Sequence, residues 1–133
     1  LASRPEVHAI LHTHSLNSTA LSSLRRPIPP FHYMVAVAGG SDIRCAPYAT
    51  FGTEELSRNA VAALEGRKAC LLANHGLITV GADLAGVFKL AVEVETLAAM
   101  YLRALPAGER VLLDEAEMAV VLEKFRTYGQ QKG

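Results

Sequence analysis

His12 and His14 stand two residues apart in a short apolar run, Val7-His8-Ala9-Ile10-Leu11-His12-Thr13. On a strand, residues of one parity face one side, so both imidazoles leave the same face with their Cα atoms about 6.7 Å apart. Two rings at that spacing can converge on one cation with metal–nitrogen bonds of about 2.0–2.1 Å. His8 shares the parity but lies about 13 Å from His12, too far to join. His75 occupies the place where a second apolar run, Ala69-Cys70-Leu71-Leu72, gives way to Asn74-His75-Gly76. A turn beside a neighbouring strand can deliver a third ligand without straining the sheet. Three neutral imidazoles leave one position of a tetrahedral ion open, as in catalytic rather than structural zinc sites. Spacing alone leaves bland alternatives standing, since His-x-His also occurs as strand packing and Asn-His-Gly is often only a turn.

The elements that must hold these residues follow from patterning. Residues 7–13 form a buried strand, and Ser15 caps a helix over 16–25 with Leu16, Ala20, Leu21 and Leu24 on its inward face. Pro27-Ile28-Pro29-Pro30 ends that helix and imposes an extended connection. Residues 34–38 are a short apolar stretch closed by Gly39-Gly40, and 45–51 form an irregular loop. Thr53 caps a helix with Glu54 and Glu55 in its first turn, with Leu56, Ala60, Val61 and Leu64 inward and an end at Gly66. Strands follow at 69–72 and 77–80. Asp83 caps the longest helix, 84–105, whose buried stripe is Val87, Phe88, Ala91, Val94, Leu97, Ala98, Tyr101 and Leu105. Asp114 and Glu117 open a last helix running through Phe125. Strand and helix alternate, which predicts an α/β fold in layers.

The chain has 133 residues, half of them apolar, with 13 basic residues balancing 13 acidic ones. That length suits a single domain, residues 1–133, with one sizeable core. The balanced charge supplies no general field for nucleic acid or an anionic membrane, so local groups must hold any anionic substrate. No run approaches the roughly 18 apolar residues of a membrane span. Cys45 and Cys70 form no CxxC pair and predict two thiols of a cytoplasmic protein rather than a disulfide framework.

Six groups of residues occur in order: His12-Thr13-His14; Ile28-Pro29; His32-Tyr33-Met34; Ala46-Pro47-Tyr48-Ala49-Thr50-Phe51-Gly52-Thr53; Asn74-His75-Gly76-Leu77; and Phe125-x-x-Tyr128-Gly129. The ordered set, over residues 7–129, resembles the class II aldolase/adducin family, most closely its L-fuculose-phosphate aldolase branch. The resemblance implies a three-layer α/β/α fold around a mixed, largely antiparallel sheet, of which this chain would be the C-terminal majority. It also implies one zinc ion per subunit, held by His12, His14 and His75, and a homotetramer with sites between subunits. Zinc would act as a Lewis acid toward the enediolate of a ketose phosphate. Tyr33 falls at the position whose phenol comes from an adjacent subunit and handles the proton on the aldehyde oxygen. Tyr128 matches the tyrosine of a mobile tail that closes over the site, and Phe51 and Phe125 match apolar walls for the aldehyde. For Tyr33, Phe51 and Phe125, ordinary packing is the competing explanation.

The departure from the family pattern lies upstream. Members carry a glutamate general base shortly before the first metal histidine and a phosphate pocket of Gly, Asn and Ser residues; neither pattern occurs between Leu1 and His12. Glu6 precedes the strand at the wrong place. The expected activity is cleavage of L-fuculose 1-phosphate, or a similar ketose 1-phosphate, to dihydroxyacetone phosphate and L-lactaldehyde. The alternatives are a ribulose-phosphate 4-epimerase of the same family and a zinc-binding or adducin-like interaction domain without catalysis. Loss of preceding strands would leave the apolar faces of residues 7–11 and 69–72 without partners.

Overall fold

A computed structural model describes residues 4–128. Strands β1 (Ala9–Thr13), β2 (Cys45–Ala46), β3 (Ala69–Leu72) and β4 (Gly76–Gly81) form one mixed sheet in the order β1-β4-β3-β2. β1 and β3 each run antiparallel to β4, and β2 runs parallel to β3. The helices are α1 (Leu16–Ser22), α2 (Glu54–Ala63), α3 (Leu84–Ala104) and α4 (Glu115–Tyr128). Two 3-10 segments, Tyr33–Ala38 and Leu105–Ala107, join them.

The pleat of β3 shows how the layers form. Ala69 and Leu71 point into a cluster with Leu21 of α1 and Val94 and Leu97 of α3, while Cys70 and Leu72 point into a cluster with Ala60 and Ala63 of α2. Helices therefore cover both faces of the sheet, giving the three layers expected. A run apolar at every position is what a strand buried on both faces requires. Each fully buried leucine in these clusters contributes about 1.5–3 kcal/mol relative to an exposed one.

Three caps expected from sequence are present. Thr53 Oγ1 accepts from the Leu56 amide at 3.3 Å, Asp83 Oδ1 from Gly86 at 2.7 Å and Asp114 Oδ1 from Glu117 at 2.8 Å.

Several expectations are corrected. α1 stops at Ser22, and its buried residues are Ser18, Leu21 and Ser22; Leu16 and Leu24 are exposed and so is Ala20. Ser15 occupies the N-cap position but its hydroxyl makes no cap bond; the Glu95 carboxylate of α3 accepts from the Asn17 and Ser18 amides instead. The 34–38 stretch is a 3-10 helix ended by Gly39 in the left-handed region, φ 94°. Cys45–Ala46, expected as loop, is a two-residue strand on the far side of β3. Val61 and Phe88 face solvent, Phe88 because α3 there extends beside the sheet's β1 edge. β3 does not lack partners, since it is interior and all four of its residues are buried. The open face is that of β1, whose Ile10 is half exposed.

Candidate metal centre

β1 ends at Thr13 and α1 starts at Leu16, so His12 stands near the C-terminal end of the strand and His14 in the short link to α1. The register sets Thr13 opposite Leu77 and His12 opposite Ile78, which brings the β3–β4 turn and His75 beside them. The three rings gather edge to face, with centroids 4.8–5.0 Å apart. Nε2 of His12 lies 3.1 Å from Nε2 of His14, and one nitrogen from each of the three lies within 4.8 Å of the others.

These residues fit a divalent ion. Metal–nitrogen bonds of 2.0–2.1 Å at tetrahedral angles put ligand nitrogens about 3.3 Å apart, close to the observed 3.1 Å. Nδ1 of His12 lies 2.9 Å from the Leu77 carbonyl oxygen. With the proton on Nδ1 donating there, Nε2 keeps its lone pair for the site, the usual way a ligand tautomer is fixed. Burial, and then the neighbouring His12 and His14, hold His75 below the ordinary imidazole pKa of 6.5, which favours the neutral, ligating form. An all-nitrogen donor set with two exposed members suits an ion that keeps a position open to substrate.

The local backbone explains why the rings meet. Asn74 takes a left-handed conformation, φ 55°, which asparagine tolerates better than most residues. Gly76 then passes so close to β1 that a Cβ there would stand within 3.0 Å of the Thr13 carbonyl oxygen and near the His14 ring. α1 is seated by Glu95 of α3, whose carboxylate accepts from the Asn17 amide at 2.8 Å, the Ser18 amide at 2.9 Å and Asn17 Nδ2 at 3.0 Å. Beside the histidines a cavity of about 260 Å³ opens between the sheet and α2, walled by Ile10, Leu56, Val61 and Leu72. Of these supports, only the Asn74-Gly76 turn left a signal in the sequence; Glu95 carried none.

A family model described as the class II aldolase and adducin N-terminal domain matches residues 1–102. The chain belongs to the class II aldolase family. A 5-methylthioribulose-1-phosphate/5-deoxyribulose-1-phosphate aldolase of Rhodospirillum rubrum is 62% identical over 129 residues, which cover 97% of this chain and 58% of that protein. An L-fuculose phosphate aldolase of Escherichia coli O6:H1 is 55% identical over 128 residues, covering 96% of this chain and 60% of that protein. A solved structure of L-fuculose 1-phosphate aldolase superposes with a TM-score of 0.89 at 46% identity, over 94% of this chain and 58% of that one. The chain thus spans about three-fifths of the length of these relatives.

Class II aldolases are typically metal dependent, and among the described residues the histidine cluster is a group suited to that need. The structure brings His12, His14 and His75 together; Tyr33, Phe51, Phe125 and Glu6 are not members of that cluster. Tyr33 is 52% exposed, and among the described residues its ring partners are His32, at 4.8 Å, and Phe125, at 6.5 Å. Phe125 packs partly against Ala36, Met118 and Val121. Phe51 is 78% exposed in the loop before α2. Tyr128 ends α4, and its side chain, like Gly129, lies outside the described residues. Glu6 is engaged by Arg4 at 2.8 Å.

Proposed function

We propose that this chain is the metal-holding part of an aldolase that cleaves a ketose 1-phosphate. L-Fuculose 1-phosphate would yield dihydroxyacetone phosphate and L-lactaldehyde. The observation that carries this reading is the convergence of three imidazoles, one of them with Nδ1 2.9 Å from the Leu77 carbonyl oxygen. His12, His14 and His75 would hold a zinc ion, which would supply Lewis-acid chemistry toward the substrate carbonyl. Breaking the C3–C4 bond needs one proton to leave the C4 hydroxyl and one to arrive at C3. Tyr33 handles the first of these from a neighbouring copy in a homotetramer, and its exposed phenol supports that role. Tyr128, Phe51 and Phe125 shape the aldehyde end. Residues 1–133 form one domain of this type, in the cytoplasm, where free Cys45 and Cys70 stay reduced.

A second substrate reading has its own support, the 62% identity to the R. rubrum enzyme. Cleavage of 5-methylthioribulose 1-phosphate at the same bond releases the same dihydroxyacetone phosphate and a different aldehyde. The test is release of dihydroxyacetone phosphate by the full-length, zinc-loaded protein from each ketose phosphate, before and after a chelator. Turnover of either, lost on chelation and regained with zinc, is expected, and the larger kcat/KM names the substrate. A zinc-loaded protein inert on both overturns the proposal.

A further inference from the structure

The C-terminal end of α1 is tied to the turn that carries His75. The carbonyl of fully buried Ser22 accepts from the Asn74 amide at 3.1 Å and from the Arg25 amide at 3.0 Å, and Ser22 Oγ accepts from the His75 amide at 3.3 Å. Across this knot, Arg25 Nε donates to Asn74 Oδ1 at 2.7 Å. Both partners sit in the left-handed region, Arg25 at φ 54° and Asn74 at φ 55°. Asparagine visits that region routinely, whereas arginine does so rarely. Such a conformation persists only where neighbouring contacts impose it. The Arg25 guanidinium also lies over the Tyr48 ring, 5.5 Å from its centroid. One side chain therefore touches two segments distant in sequence, the β3–β4 turn and the loop after β2, while its backbone closes α1.

α1 begins two residues after His14 and ends against the turn of His75. The same short helix thus connects two of the three imidazoles, and Arg25 locks its far end. We propose that Arg25 is a positioning residue that fixes the Asn74–His75 turn against α1 and so sets where the His75 ring stands relative to His12 and His14. The inference rests on the metal reading of the three histidines. Ligand distances must hold to about 0.2 Å, so a turn free to drift would lose affinity without any ligand being removed.

The test compares wild type, Arg25→Ala, Arg25→Lys, Asn74→Ala and the Arg25→Ala/Asn74→Ala double variant in the full-length protein. The readouts are zinc affinity by chelator competition, the visible band of the Co²⁺ form, and amide hydrogen exchange at Asn74 and His75 without metal. Arg25→Ala should weaken zinc binding by about tenfold or more and alter the Co²⁺ band. The metal-free melting temperature should stay within about 2 °C, as for an exposed side chain. The double variant should lose no more than the worse single one, because each residue acts through the other. Arg25→Lys keeps the charge without the planar fork and should behave like Arg25→Ala. Wild-type affinity in Arg25→Ala, full recovery in Arg25→Lys, or additive losses would overturn the proposal. If wild type itself binds no divalent ion, the metal reading fails. His75 amide exchange then decides the lock alone: about tenfold faster exchange in Arg25→Ala supports it, and unchanged exchange overturns it.

Discussion

Gly76 lies against the end of β1 so closely that any Cβ at this position would fall within 3.0 Å of the Thr13 carbonyl oxygen. The contact joins the strand bearing His12 to the turn bearing His75, and backbone on both sides leaves nothing flexible to give way. Gly76→Ala should force the two segments apart. The expected result is a loss of about 1–3 kcal/mol of stability, typical of overpacking, with zinc affinity reduced at least tenfold. Urea unfolding and chelator competition read both, and an alanine variant with wild-type values would show that the segments move freely.

Glu95 gives a prediction with a pH signature. Burial pushes its carboxyl up, but the hydrogen bonds it accepts at the start of α1, those of the Asn17 and Ser18 amides foremost, together outweigh that and leave it below the ordinary 4.5. A carboxylate depressed in the folded state adds stability that is present above its unfolded pKa and lost as pH falls through the folded one. Glu95→Ala should therefore cost about 1–2 kcal/mol at pH 7, in the range of a lost helix cap. The gap from wild type should narrow as pH falls below 4.5. A gap that stays constant with pH would mean the side chain contributes packing rather than charge.

The sequence made the fold legible wherever local chemistry decides it. Thr53, Asp83 and Asp114 mark three helix starts because a cap acts within three residues. α1 departs from its apolar periodicity because its seat is polar and distant: Glu95 replaces the Ser15 cap, and buried Ser18 and Ser22 take the places periodicity gives to Leu16 and Leu24. β2 is two residues long, too short for any alternation to show, and exists only through its pairing with β3. In the site, strand parity revealed His12 and His14 together. The groups that aim His75 stayed hidden, since Ser22 and Arg25 meet the turn across about fifty residues of chain.

The long helix supplies a direct contrast between residue type and position. Phe88 and Leu97 both fall on the apolar stripe expected from sequence, yet Phe88 is 63% exposed and Leu97 is 1% exposed. Leu97→Ala in the 133-residue chain should cost about 2–5 kcal/mol, as for other buried leucines. Phe88→Ala should stay within about 0.5 kcal/mol. Denaturant midpoints at constant slope test this, and a Phe88 cost comparable with that of Leu97 would mean that another surface covers it.

Tyr33 separates chemistry from folding most cleanly. Its half-exposed ring stacks on His32 and Phe125, so Tyr33→Phe keeps the packing and removes only the hydroxyl. Stability should move by less than about 0.5 kcal/mol, and zinc affinity should be unchanged because the ring does not belong to the histidine cluster. If the phenol handles the proton on the aldehyde oxygen, kcat should fall by about 10²–10⁴ with KM little altered. Its proposed action from an adjacent copy adds a second readout. Mixing inactive Tyr33→Phe and His75→Ala chains under conditions that exchange subunits should restore activity, to roughly a quarter of the sites at random mixing of equal amounts in a symmetric assembly. An unaffected kcat would remove Tyr33 from the chemistry. A low kcat without recovery on mixing would place its hydroxyl beside the histidines of its own chain, against the intersubunit site proposed above.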